Sequence, residues 1–327
     1  MSLERCVTGT DVLRGLYSRT GVLPGVSNAA PPLPRRTAVD VNPWLTRRVI
    51  AFAHQGGSFE GPSSTLYAID RALRVGATAI ELDVHATSDR QLVVCHDETV
   101  DRTTNHHGSI AALTLAQLRE MDNAYWWIEG ATVSPGCRDE DYTLRGRAPR
   151  DSTLRVATLE EVVTTFPGVV LNLDIKQSDP DVEPYEELLA NELTRLGRRQ
   201  SVMVASFHDG AIQRFRSLAP EVATSAATQE TASFFFSLDA DQPVVPRAQA
   251  LQVPARFGET DVVTTRFVEV AHASGLAVHV WTINDRDEME RLLNLGVDGL
   301  ITDRPALLAS VLASRGGGWS GEVDEAP

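Results

Sequence analysis

The chain has 327 residues, of which 43% are hydrophobic and 23% are charged, as is typical of a globular protein with a large core. The net charge of −14 at pH 7 comes from dispersed Asp and Glu, which repel a nucleic-acid backbone, so we expect no DNA or RNA partner. The three cysteines are widely spaced and no apolar run is long enough for a transmembrane segment, which favours a cytoplasmic location.

Residues 1–46 include AAPPLPRR and show little periodic hydrophobicity, so we interpret them as an N-terminal arm. Beyond them, short apolar runs alternate with longer amphipathic ones, which indicates a parallel α/β fold. The apolar runs predict eight strands, at 49–54, 78–84, 168–176, 202–207, 221–227, 250–254, 276–283 and 298–302. The amphipathic runs predict helices at 64–76, 113–121, 158–166, 183–197, 209–218, 264–275, 285–295 and 304–314.

Eight strands, mostly with helices between them, predict a single-domain (β/α)8 TIM barrel over residues 47–314. A doubly wound open sheet would place a Gly-rich phosphate loop after its first strand, and Gly56–Gly57 alone do not supply that pattern. Residues 122–153 are too long for a simple connection and predict an insertion after the second strand, either a lid or a surface excursion. The Gly-rich residues 315–327 predict a flexible tail.

Acidic residues cluster where two of the predicted strands end, which is where TIM barrels place their functional groups. Glu81 and Asp83 are two apart on one strand and so point to the same side, and Asp174 ends the next barrel strand. Carboxylates on one inward face repel each other unless a cation relieves them, and Mg²⁺ or Ca²⁺ prefers such oxygen ligands. The alternative is that these carboxylates bind backbone amides or an arginine at the rim.

Two histidines accompany these carboxylates. His54 ends the first predicted strand, and His96 closes an extended segment at 91–96 that follows the second. A single strand-end histidine is more often a hydrogen-bonding group, but a pair beside a metal can act as general acid and general base near neutral pH. Asp97 is placed to orient His96, and His85, on the face of the two carboxylates, is a second-rank candidate.

The segment AHQGGSFEGPSSTLYAIDRALRVGATAIELDVHATSDRQLVVCHDETVDRTT at 53–104 resembles the signature region of the glycerophosphodiester phosphodiesterase family. Further matches are LNLDIK, VASF, VWTIN and GVDGLITDRP, so the resemblance covers most of residues 49–312. It implies a phosphoric diester hydrolase that uses one divalent cation, Mg²⁺ or Ca²⁺. The implied reaction converts a small glycerophosphodiester into glycerol 3-phosphate and an alcohol.

The resemblance also implies roles by matching position. His54 and His96 correspond to the acid–base pair, and Lys176, Trp281 and Gln55 fall at substrate- or phosphate-binding positions. The implied metal ligands are Glu81, Asp83 and Asp174.

Three departures from the family pattern accompany the match. The usual His-Arg-Gly is His-Gln-Gly here, the usual Pro-Glu-Asn-Thr is Pro-Ser-Ser-Thr at 62–65, and the third metal position is Asp174 rather than Glu. Gln55 and Ser63 together remove one positive and one negative charge, which favours a coordinated change of substrate or pocket shape.

Two alternatives remain open at this point. One is a lysophospholipase D-like activity, with Tyr125, Trp126 and Trp127 of the insertion lining an apolar groove for the alkyl chain. The other is a non-catalytic barrel that binds phosphodiesters, suggested by Gln55 and Ser63.

Overall fold

The computed structural model describes residues 42–46, 49–176 and 185–315. Most of the predicted arm at 1–46 and nearly all of the predicted tail at 315–327 lie outside these ranges. Among the described helices, none combines the length and the apolar character needed to cross a membrane.

Eight parallel strands form a nearly closed barrel. They are β1 (Ile50–His54), β2 (Ala79–Ala86), β4 (Val170–Ile175), β5 (Val202–Ala205), β6 (Ala223–Thr224), β7 (Ala250–Pro254), β10 (Ala277–Trp281) and β11 (Gly299–Thr302). Their order around the sheet is β6-β5-β4-β2-β1-β11-β10-β7, and a parallel bridge between Ser225 and Ala250 brings the two ends together. The TIM barrel is therefore confirmed, and closure excludes the doubly wound alternative.

The other elements surround this barrel. The helices are α1 (Pro43–Thr46), α2 (Leu66–Arg74), α3 (Leu115–Arg119), α4 (Leu159–Thr165), α5 (Tyr185–Arg195), α6 (Asp209–Leu218), α7 (Thr228–Phe236), α8 (Thr265–Ala273), α9 (Arg286–Leu295) and α10 (Pro305–Ser314). Strand β3 (Leu92–Val94) pairs antiparallel with β2, and β8 (Arg256–Phe257) forms a hairpin with β9 (Thr260–Asp261). Helix α7 was not predicted, because its sequence TQETASFFF places its apolar residues in one run rather than at helical spacing.

Local sequence signals set the starts and ends of these helices. Thr65 caps α2 by accepting a hydrogen bond from the Ala68 amide, and Thr158 forms a capping box with Glu161 at the start of α4. Gly296 ends α9 with φ of 87°, a left-handed conformation that glycine adopts without steric cost.

The bottom of the barrel is closed by the chain that enters it. Trp44 is buried and contacts the ring of His279, and the Asn42 amide donates to the carbonyls of Gln249 and Gly275. Closure at this end leaves the opposite end, where the parallel strands terminate, as the open face.

The insertion at 122–153 has a compact centre of its own. The Arg145 guanidinium lies 4.3 Å from the ring centroid of Tyr125, 4.8 Å from that of Trp126 and 3.5 Å from that of Tyr142. The Trp127 indole N–H donates to the Ser58 carbonyl at 2.9 Å and so ties the insertion to the loop after β1. Tyr125 and Trp126 therefore surround an arginine rather than line an apolar groove.

Candidate active site

Strand register brings the predicted carboxylates together at the carboxyl end of the barrel. His54 on β1 is the register partner of Glu81 on β2, and Asp83 is the partner of Asp174 on β4. Since β1, β2 and β4 are consecutive neighbours in the sheet, four of the predicted site residues share one corner of the open face.

His54 is oriented by a carboxylate from the opposite end of the chain. Its Nδ1 lies 2.7 Å from Oδ1 of Asp303, which directly follows β11, the neighbour of β1. Asp303 also accepts hydrogen bonds from the Ser58 hydroxyl and the Asn284 amide, each at 2.7 Å. Sequence reasoning gave Asp303 no role, although its position at the end of the last strand was a signal that could have found it.

The carboxylates around His54 change its protonation. Burial by itself would lower the pKa of His54, but the hydrogen bond to Asp303 and the charges of Glu81 and other carboxylates raise it from 6.5 to about 9. Burial raises the pKa of Asp303 as well, yet its hydrogen bonds from His54, Ser58 and Asn284 hold that pKa below the usual 3.8. The pair is therefore an imidazolium–carboxylate pair at neutral pH.

His96 forms a second histidine–aspartate pair. It follows β3, and its Nδ1 lies 2.7 Å from Oδ1 of Asp97, the orienting residue that the sequence suggested. Arg102 binds both oxygens of Asp97, at 2.6 and 3.0 Å. Burial opposes ionisation of Asp97, but the hydrogen bonds from His96 and Arg102 lower its pKa well below the usual range. The ring centroids of His54 and His96 are 6.2 Å apart, so the two pairs face each other.

Lys176 lies between two of the predicted metal ligands. Its Nζ is 3.1 Å from a carboxylate oxygen of Asp83 and 3.1 Å from one of Asp174, and these charges outweigh burial and raise the pKa of Lys176. Burial and the negative charge of Asp83 raise the pKa of Glu81. Within the described ranges, no three His, Cys, Asp or Glu side chains form a ready-made metal cluster.

Two carboxylate oxygens in this corner nevertheless fit a cation. Oδ2 of Asp83 and Oδ1 of Asp174 are buried and accept no hydrogen bond. Buried anionic oxygens without donors are costly unless a cation or proton satisfies them. Oxygen donors of this kind suit a hard divalent ion, so the residues present are compatible with the metal that the sequence predicted.

The remaining predicted residues lie around this corner. Trp281, at the end of β10, packs edge-on against Phe207 with ring centroids 5.7 Å apart, and Lys176 Nζ lies 5.5 Å from the Phe207 centroid. Phe207 was not singled out from the sequence. His85 is only 2% exposed, and burial lowers its pKa.

Gln55 contacts His54 from the other side. The Gln55 backbone N–H donates to the Glu81 carbonyl at 2.9 Å, and its side-chain nitrogen lies 3.1 Å from Nε2 of His54. A cavity of about 230 Å³ begins here and extends between the two histidines and the insertion. Both histidines and Gln55 therefore line the same space.

This geometry, two carboxylate-oriented histidines beside three carboxylates and a lysine on a TIM barrel, agrees with the comparison to known families. The model of the glycerophosphoryl diester phosphodiesterase family matches residues 54–307. The chain belongs to this family. It is a phosphoric diester hydrolase, and its activity is that of a glycerophosphodiester phosphodiesterase. The resemblance found in the sequence is thus confirmed, and the non-catalytic alternative is not supported.

Relatives and solved structures extend over most of the chain. A glycerophosphodiester phosphodiesterase of Bacillus subtilis is 30% identical over 276 residues, covering 81% of this chain and 86% of the relative. One from Caldanaerobacter subterraneus is 29% identical over 272 residues, covering 82% and 100%. The Agrobacterium tumefaciens enzyme structure has a TM-score of 0.61 at 23% identity, covering 80% of this chain and 99% of that one.

A phosphodiesterase of Oleispira antarctica, solved in complex with the product sn-glycerol-3-phosphate, has the same fold. Its TM-score is 0.60 at 23% identity, and the match covers 81% of this chain and 96% of that one. At this level of identity the two solved structures support the barrel fold of this family member.

Proposed function

We propose that this enzyme hydrolyses a glycerophosphodiester to glycerol 3-phosphate and an alcohol by metal-dependent catalysis with His54 and His96 as the acid–base pair. The observation that carries the proposal is the pair of facing histidines, each hydrogen-bonded through Nδ1 to an aspartate at 2.7 Å. Such a contact fixes the ring orientation and assigns proton transfer to Nε2, which in His54 also lies 3.1 Å from the Gln55 side-chain nitrogen.

The two histidines differ in their surroundings, which suggests separate roles. His54 carries a raised pKa and so holds a proton near neutral pH, which suits the general acid that protonates the departing alcohol oxygen as its P–O bond breaks. His96, oriented by Asp97, suits the general base that takes a proton from the attacking water as the oxygen of that water bonds to phosphorus. The products then carry all atoms of the diester and of the water consumed.

Glu81, Asp83 and Asp174 would hold the divalent cation, and the unpartnered oxygens of Asp83 and Asp174 support that assignment. A hard divalent ion at this position supplies neutralisation of the phosphoryl oxygens as negative charge develops on them. Lys176 is placed to contact a phosphoryl oxygen beside the same carboxylates. Trp281 and Phe207 form an apolar wall on which the carbon atoms of the glyceryl group can pack.

The lysophospholipase D-like alternative receives little support from the insertion, because Tyr125 and Trp126 are packed around Arg145 and Trp127 alone of these three residues lines the cavity. We therefore keep the glycerophosphodiester as the proposed substrate. Lysophosphatidylcholine belongs in the assay as the competing substrate, and turnover of it alone would decide against the proposal.

The test is turnover of glycerophosphodiesters by wild type, His54→Ala and His96→Ala, with Mg²⁺ or Ca²⁺ and after chelation. We expect each variant to lose about 10²–10⁴-fold in kcat, the usual contribution of acid–base catalysis, and chelation to abolish turnover. His107→Ala is the matched control, because His107 also pairs with an aspartate, Asp101 at 3.0 Å, but is largely exposed. Metal-independent turnover, or variants as active as that control, would overturn the proposal.

A further inference from the structure

The cavity beside the histidine pair is separate from the corner that holds the carboxylates. Its wall includes His54 and His96, but none of Glu81, Asp83, Asp174, Lys176 and Trp281. A diester whose phosphate lies among those groups and between the histidines therefore extends one substituent into the cavity. At about 30 Å³ per water molecule, the volume of about 230 Å³ admits an alcohol of modest size.

The charged side chains in the cavity wall are already paired with one another. Asp97 binds both His96 and Arg102, and Asp303 binds His54. Asp303 also accepts from Ser58 and Asn284, so its carboxylate is fully engaged. A cationic group entering the cavity would lose its hydration without gaining a carboxylate partner, and that desolvation is unfavourable.

The rest of the wall is polar but uncharged. These side chains carry amide and hydroxyl groups, and they are Gln55, Ser58, Ser63, Thr103, Asn123 and Thr132. Amides and hydroxyls both donate and accept hydrogen bonds, as do the hydroxyl groups of a polyol. The flat indole of Trp127 and the side chain of Val133 complete the wall and offer an apolar surface for C–H groups.

Both departures from the family pattern face this one cavity. Gln55 and Ser63 are each 5% exposed and both line it, and the Ser64 backbone N–H donates to the Gln55 carbonyl at 2.8 Å, which holds the two loops together. Gln and Ser occupy the positions at which the family pattern has a longer Arg and a longer Glu. The exchange therefore leaves more space inside the cavity, and its wall carries no charge at these two positions.

We propose that this cavity receives the alcohol of the diester and selects an uncharged polyol over a cationic amino alcohol. Gln55 and Ser63 set the space available in the cavity and leave its wall without charge at their two positions. The inference rests on the proposed function, because it assigns one end of the same substrate. A wall of amide and hydroxyl groups can exchange hydrogen bonds with the hydroxyl groups of a polyol, and an amino alcohol without such hydroxyl groups does not make these contacts.

The experiment compares kcat/KM for four diesters that differ only in the alcohol: glycerophosphoglycerol, glycerophosphoinositol, glycerophosphocholine and glycerophosphoethanolamine. We expect wild type to prefer the two polyol esters by about tenfold or more. Gln55→Arg with Ser63→Glu fills the cavity with charged side chains and should reduce that preference about tenfold. Ser63→Ala, which keeps the space, should retain most of it.

The matched control is Gln242→Arg with Ser233→Glu, the same two exchanges at exposed positions outside the cavity. It should leave the ratio between polyol and amino-alcohol esters unchanged. Equal kcat/KM for all four esters in wild type, or an equal loss on all four in the Gln55/Ser63 variant, would overturn the cavity assignment. Absence of turnover on every diester would instead refute the proposed function.

A second measurement needs no variant and so does not depend on the folding of one. Free inositol should shift the NMR signal of the Trp127 indole N–H in wild type, and choline at the same concentration should not. A Trp127 signal that does not move with inositol, or that moves as much with choline, counts against the proposal even when diesters are hydrolysed.

Discussion

Replacing Asp303 by Asn removes the negative charge beside the His54 imidazole and leaves a side chain of the same shape. The pKa of His54 is raised from 6.5 to about 9, with the hydrogen bond to Asp303 as the largest favourable contribution against burial. At ~1.4 kcal/mol per pKa unit, this shift corresponds to about 3 kcal/mol in favour of the imidazolium. We expect Asp303→Asn to remove at least half of it and to lower the His54 pKa by roughly 1–2 units.

Activity should fall with the loss of a positioned, protonated acid. We expect kcat to decrease about 10²–10⁴-fold, with the largest loss above neutral pH where the variant imidazole is neutral. The assay is a pH–rate profile of wild type and variant on one glycerophosphodiester, together with an NMR titration of the His54 ring in chelator-treated protein.

Stability should respond in a defined pH window. A histidine with a raised folded-state pKa stabilises the fold fully below its unfolded pKa, and that contribution is lost as the pH rises through the folded value. Wild type without metal should therefore lose free energy of unfolding between pH 6.5 and about 9 on account of His54. Asp303, whose pKa is lowered, stabilises above its ordinary pKa of 3.8, and this contribution is lost as the pH falls through its folded value.

Asp303→Asn should flatten both slopes in urea denaturation curves measured across this range. Asp101→Asn is the control, since Asp101 pairs with the exposed His107 and its loss should change neither kcat nor the slope between pH 6.5 and about 9. A His54 pKa in Asp303→Asn within about half a unit of wild type would refute the reasoning, because no other group contributes as much by hydrogen bonding.

Three further predictions concern other parts of the chain. Lys176→Met leaves Asp83 and Asp174 buried without their ammonium, so it should destabilise the metal-free protein by ~3–5 kcal/mol, with partial recovery in Mg²⁺ or Ca²⁺; a wild-type Tm in chelator would contradict this. Arg145→Ala removes the cation stacked on three rings and should lower stability by about 1–3 kcal/mol, with earlier limited proteolysis within 122–153 as the readout; unchanged proteolysis would count against it. Burial raises the pKa of the Cys95 thiol to about 12, so iodoacetamide should leave Cys95 unlabelled in the native protein and label the exposed Cys137. Mass spectrometry measures the labelling, and labelling of Cys95 in the native protein would disprove this prediction.

The barrel was predictable because its strands are nearly continuous buried runs, as expected for a parallel sheet covered on both faces. Strand β4, VLNLDI, is buried throughout, as its sequence predicts, and its place at the strand end predicts a site role for Asp174. The sequence does not predict helix α7, because its apolar residues do not follow helical spacing. The helix is held by tertiary packing of Phe234 against Phe267, which the local sequence does not show.

The site residues that were missed share another cause. Asp303 and His54 are 249 positions apart, and only the pairing of β1 with β11 brings them together. Arg102 is recognisable as a partner of Asp97 only once the loop after β3 has folded back on itself. Local sequence patterns identify candidate site residues on their own strands. Partner residues that come from a distant part of the chain can be identified only from the folded barrel.

The pairing of the first strand with the last has a consequence for how the enzyme becomes active. His54 and the carboxylate that orients it lie on the two sides of the β1–β11 seam, in adjacent strands with Ala53 opposite Thr302. A nascent chain, a truncated chain or a partly unfolded barrel in which this seam is open therefore lacks an oriented His54 even though every earlier site residue is present. Hydrolysis would then begin only once this seam has formed, and turnover in a split or circularly permuted chain would report directly on its formation.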